Sequence, residues 1–103
     1  MVTVQVLIPV ADNDGAVFTA PEFKAFEAEV LRYFGGFSEL PGRVSGGWQD
    51  NGVVYADELI VYEIAVGGLL ANSEKLAAVV AFAREAFRQE AIGVRYLGHF
   101  EVL

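Results

Sequence analysis

Val2-Thr3-Val4-Gln5-Val6-Leu7-Ile8-Pro9-Val10 places β-branched apolar residues at every even position. A period of two is that of a strand, and it gives this strand one fully apolar face. Pro9 has no N–H to donate, so ladder pairing is expected to end near it. Asp12-Asn13-Asp14-Gly15 reads as a turn. Thr19 and Glu22 then have the spacing of a capping box, with Pro21 in the first turn, which predicts a helix over residues 20–34. Phe23, Phe26, Val30 and Phe34 recur at spacings of three and four and form its inner stripe. Gly35-Gly36 supplies the left-handed stop.

Beyond that helix, Pro41-Gly42 signals a turn, and Val44, Gly46 and Trp48 alternate after it. Gly46-Gly47 is expected to mark a bulge or bend. Asp50-Asn51-Gly52 has the residues of a hairpin turn, and a long β-prone strand over 53–66 follows it. Gly67-Gly68 closes that strand. Asn72 or Ser73 caps a second helix predicted over 74–91, with Leu76, Val80, Ala83 and Phe87 as its buried stripe and Gly93 as its stop. Glu85 and Arg88 are spaced for a weak surface pair. A last strand is expected over 94–102, with Val94, Tyr96, Phe100 and Val102 on one face.

The totals bound the function. A chain of 103 residues is read as one domain, 1–103. Its apolar fraction of 54% is high for that size, which points to surface buried against another subunit. A net charge of -7 repels phosphate backbones and anionic membrane surfaces, so nucleic acid and membrane are not expected partners. With no cysteine, disulfides, thiol nucleophiles and thiolate metal sites are excluded. No apolar run approaches the ~20 residues of a membrane helix. The N-terminal stretch lacks a basic leader and a cleavage site, so a cytoplasmic location is expected.

The order strand, helix, strand, strand, helix, strand predicts an α+β fold. Its form is a βαββαβ plait with a four-stranded antiparallel sheet and both helices on one face. The helices are expected to cover the even face of the first strand, Ile60, Tyr62 and Ile64, and Tyr96 and Phe100. The other face carries Gln5, Leu7, Asp57, Leu59, Val61, Glu63, Arg95, Leu97 and His99. Leu7, Leu59, Val61 and Leu97 make this face more apolar than a solvated sheet, so it is expected to meet a second subunit or a ligand; self-pairing is the commonest solution, which makes these four the expected interface of a homo-oligomer, a dimer or larger. The element order, the length and the half-apolar face resemble the ferredoxin-like dimeric α/β barrel group. Phe34-Gly35-Gly36-Phe37, Gly47-Trp48 and Gln89-Glu90 are also similar to segments of small bacterial families of this architecture. That group includes small monooxygenases, small isomerases and ligand-sensing domains. The resemblance is one of topology and carries over no catalytic residue.

Few residues can carry chemistry. His99, the one histidine, is the best proton-handling candidate; against this stands a plain role at an interface or sheet rim. Trp48, Tyr62 and Tyr96, with Tyr55, are candidate linings of a ligand cavity between sheet and helices; aromatics at strand spacing also serve as core. Asp57 and Glu63 share a face but lie roughly 20 Å apart along a strand, too far for a paired-carboxylate mechanism. Asp12-Asn13-Asp14-Gly15 fails the spacing of a calcium loop, whose first and twelfth positions would fall on Val10 and Pro21. No metal site, phosphate loop or dinucleotide fingerprint is present, so no cofactor is implied. Two functions remain. One is a binding or assembly module; the other is a cofactor-free enzyme of monooxygenase or isomerase type acting on a hydrophobic small molecule.

Overall fold

Strand β1 (Val2–Pro9) lies inside the sheet and pairs antiparallel on both sides. The computed structural model describes residues 1–99, and of His99 the backbone alone. The expected strand residues Phe100, Glu101 and Val102 lie outside the described residues. Helix α1 (Ala20–Phe34) follows β1, then β2 (Ser38–Glu39), β3 (Val44–Asp50), β4 (Val53–Val66), helix α2 (Ser73–Ala86) and β5 (Gly93–His99). The sheet order is β2-β4-β1-β5, with β3 also paired to β4.

Among the described residues the chain is therefore α+β with two helices and an antiparallel sheet, but the sheet has five strands where four were expected. The second expected strand is divided in two. Pro41 has no N–H for the ladder and Gly42 takes φ 75°, so the chain leaves the edge of β4 after Leu40 and rejoins it at Val44. The expected bulge at Gly46-Gly47 is absent, since β3 pairs residue for residue with β4 from Val44 to Asp50. The irregularity lies instead in β5. His99 opposes Val2 and Tyr96 opposes Val4, so Leu97 and Gly98 together face Thr3, and Gly98 takes the positive φ of 88°.

The even face of β1 builds the core. Val4, Val6 and Ile8 are fully buried and cluster with Tyr62, Ile64 and Val66 of β4. Phe26 and Val30 of α1, Val79 and Ala83 of α2, and Phe87 close over them, so both helices cover that face. Helix α1 begins as its sequence requires. Glu22 N–H donates to Thr19 Oγ1 and Thr19 N–H to Glu22 Oε1, at 3.4 and 3.0 Å. Gly35 ends it at φ 77°. Helix α2 differs from its expected span, ending at Ala86 rather than 91, with Val79 rather than Val80 fully buried. At the hairpin between β3 and β4, Asn51 and Gly52 both have positive φ, the type I′ pattern their sequence favours.

Candidate ligand-binding cleft

The odd residues of β1 and β4 face away from the helices. Register puts Gln5 opposite Glu63, Leu7 opposite Val61 and Pro9 opposite Leu59. On the same side, β3 places Trp48 opposite Tyr55 and Gly46 opposite Asp57. A polar line crosses three strands here. Arg95 Nη1 donates to Gln5 Oε1 at 3.3 Å, and Gln5 Nε2 donates to Glu63 Oε1 at 2.9 Å. The two carboxylates weighed as a pair are thus engaged apart: Glu63 with Gln5, Asp57 with Trp48.

Beyond Pro9 the face hollows into two adjoining cavities of about 470 and about 580 Å³, which share Pro9, Asn13, Trp48 and Asp57. Both exceed the size that small-molecule sites need, ~300 Å³. The first is walled by Leu7, Leu59 and the turn Gln89-Glu90-Ala91. The second extends under the loop of Asp12 and Gly15 to Tyr55 and Glu58. The side chains at the junction are fixed. Trp48 stacks on Tyr55, ring centroids 4.5 Å apart and planes 17° apart, as cross-strand partners can. Trp48 Nε1–H donates to Asp57 Oδ2 at 3.2 Å. Gly46, opposite Asp57, keeps this floor open, since a Cβ there would press on Leu59 Cδ1 at 3.2 Å.

The cleft is acidic. Asp12, Asp57, Glu58 and Glu90 line it, and among the described residues no lysine or arginine does. Arg43 pairs with Glu58 at 3.0 Å and Arg88 with Asp12 at 3.5 Å. Asp57 and Glu90 have no ion-pair partner among the described residues. Asp12 also ties its own loop, since Oδ1 accepts from the N–H groups of Asp14 and Ala16, both at 2.9 Å. The Ala16 N–H is the main cause that holds the Asp12 carboxyl below its ordinary pKa.

Of the aromatic candidates, the structure brings only Trp48 and Tyr55 together here. Tyr62 is 1% exposed in the core, edge-on to Phe26 and Phe37, and its hydroxyl donates to Glu27 Oε2 at 2.8 Å. Burial, reinforced by that carboxylate, pushes the Tyr62 hydroxyl's pKa up, so it stays a neutral donor. Tyr96 opposes Val4 on the helix side and lines an apolar groove with Leu70, Leu76 and Val80 of the α2 region. Neither lies in the cleft: Tyr62 is an even residue of β4 and Tyr96 opposes the even residue Val4, so both stand on the helix side, whereas the cleft lies on the other face of the sheet and not between sheet and helices as expected. The side chain of His99 lies outside the described residues. Of the four interface candidates, Val61 is already 3% exposed, Leu7 and Leu59 border the cleft, and Leu97 stands 47% exposed at the β5 bulge. Asn13, Gln89 and Glu90 are not candidates for this site in the sequence; Asn13 reads there as a turn residue, and the signal at Gln89-Glu90 is an acidic residue near a helix C-terminus, which the macrodipole disfavours.

No family model matches the chain, and no curated protein matches it. Among solved structures it is similar to a phage SAM lyase in its apo state, with a TM-score of 0.71 at 17% identity. It is also similar to a phage SAM lyase in complex with S-methyl-5'-thioadenosine, with a TM-score of 0.68 at 18% identity. Each comparison covers 92% of this chain and 78% of the other. At these identities the likeness is one of fold.

Proposed function

We propose that this protein binds a cationic small molecule carrying a flat ring, of the sulfonium-nucleoside class to which SAM belongs, in the cleft floored by Trp48 and Asp57. The observation that carries the reading is the Trp48–Asp57 unit. The indole edge is tied to the carboxylate by Trp48 Nε1–H to Asp57 Oδ2 at 3.2 Å, one indole face rests on Tyr55, and the pair borders a hollow that no basic side chain lines among the described residues. An aromatic face attracts a ring by stacking and a cation through its quadrupole. A carboxylate without an ion-pair partner favours the same charge. The fold likeness to a SAM lyase supports this ligand class, and phosphorylated nucleotides are disfavoured by the surrounding acid groups.

We read the strand order as a ferredoxin-like plait that works as a homo-oligomer. Its Cα radius of gyration is 14.0 Å, against about 13 Å for an ordinary domain of this length. The excess reflects the β3–β4 hairpin, where Val53, Val54 and Tyr55 are 50%, 72% and 43% exposed. Apolar surface on such an arm favours association of copies. A second reading, catalysis, is favoured by one observation: the similar structures are lyases.

Calorimetric titration of SAM, S-methyl-5'-thioadenosine and AMP tests the reading. SAM should bind tightest and AMP weakest. Asp57→Asn should weaken SAM about tenfold, the size of one charge-assisted contact, and leave the neutral thioether nearly unchanged. Equal binding of AMP and SAM would sink the charge argument, and no binding of any of the three would sink the proposal. Conversion of bound SAM to S-methyl-5'-thioadenosine, followed by chromatography, would establish the catalytic reading over simple binding.

A further inference from the structure

Helix α2 ends in an unusual way. Arg88 N–H donates to the Glu85 carbonyl at 3.3 Å and Gln89 N–H to the Arg84 carbonyl at 2.8 Å. These two bonds form a Schellman turn, which requires a left-handed residue at Arg88, and Arg88 takes φ 52°. Glycine is the residue of choice there, because an L side chain is strained in that region. The arginine must therefore supply something that glycine would not.

Its guanidinium joins parts of the chain far apart in sequence. Nη1 bonds Glu22 Oε2 at 3.2 Å, Nη2 meets Asp12 Oδ2 at 3.5 Å, and Cζ lies 4.9 Å from the centroid of the Phe18 ring. The expected pairing of Arg88 with Glu85 does not occur. An isolated exposed ion pair contributes little. Here one planar guanidinium serves two carboxylates, whose side chains are 16% and 28% exposed, and an aromatic face. Asp12 is the knot of its loop, and its neighbour Asn13 lines the cleft. Gln89 and Glu90, directly after Arg88, line the facing wall.

We infer that Arg88 is a positioning residue that clamps the Asp12 loop to the Gln89-Glu90 turn and so sets the width of the ligand cleft. The inference rests on the reading of that cleft as a ligand site. Arg88→Gly separates the clamp from the cap, since it removes the guanidinium while giving the left-handed position its preferred residue. Amide hydrogen exchange on the full chain should then be about tenfold faster at Asp14 and Ala16, with Val79 and Ala83 unchanged. Affinity for SAM should fall about tenfold while the melting temperature holds or rises. Arg88→Lys, which keeps the charge but not the fork, should recover part of both. Unchanged exchange at Asp14 and Ala16 would overturn the clamp. Faster exchange with unchanged affinity would overturn its role in the site. If the unsubstituted protein binds no SAM, the cleft reading falls, and the exchange comparison still decides whether Arg88 clamps the loop.

Discussion

Asp12 and Glu22 face one guanidinium from two elements, and both carboxyls are held below their ordinary pKa. The leading cause is a backbone N–H in each case, from Ala16 to Asp12 and from Thr19 to Glu22; Arg88 adds to both. A carboxyl whose pKa is lower in the folded state stabilises that state above its unfolded pKa and loses the contribution as pH falls through the folded value. The ordinary values are 3.8 and 4.5, so acid should loosen the loop over 12–16 and the first turn of α1 only as pH falls below these values. Hydrogen exchange followed from pH 6 downward should show these amides exposed before those of Val4, Val6 and Val79. Simultaneous loss across loop and core would contradict this account. At the same scale, strand parity could have separated Tyr62 from Trp48 in the sequence, because Trp48 pairs with Tyr55, an odd residue of β4, whereas Tyr62 is even.

Among the elements, legibility followed local chemistry. The capping box of α1, its Gly35 stop and the Asn51-Gly52 turn are short-range devices, and each stands where its residues require. The end of α2 is hidden in the sequence because an arginine holds the position that glycine usually marks, and the next glycine, Gly93, reads as the stop. The split between β2 and β3 depends on how far the ladder of β4 tolerates Pro41-Gly42, which no local pattern states. Phe87, the last buried residue before the Arg88 turn, meets Phe18, Phe23 and Phe26 at ring separations of 5.0, 5.2 and 5.8 Å. It ties α2 to α1 and to the loop after β1. Phe87→Ala should cost about 3–5 kcal/mol in a denaturant titration, as for other fully buried aromatics. A loss below about 1 kcal/mol would mean that this end of α2 does not contribute to the cooperative core.

Across the whole molecule, the sheet separates two tasks. Its even face is spent on the core, and its odd face carries a polar line, an apolar patch and the acidic cleft. The sequence marks that odd face as half-apolar and names Trp48, but for a cavity between sheet and helices, on the opposite side from the cleft. Two of its walls come from loops distant in sequence, and register alone cannot bring Asn13 to Gln89. Trp48 is the single tryptophan of the chain and sits on the cleft floor, so its fluorescence reports occupancy directly. The most direct test is a fluorescence titration of the full chain with SAM. A ligand seated on the cleft floor should give saturable quenching or shift of the Trp48 emission, weakened about tenfold by Asp57→Asn. Emission indifferent to SAM at millimolar concentration would contradict it.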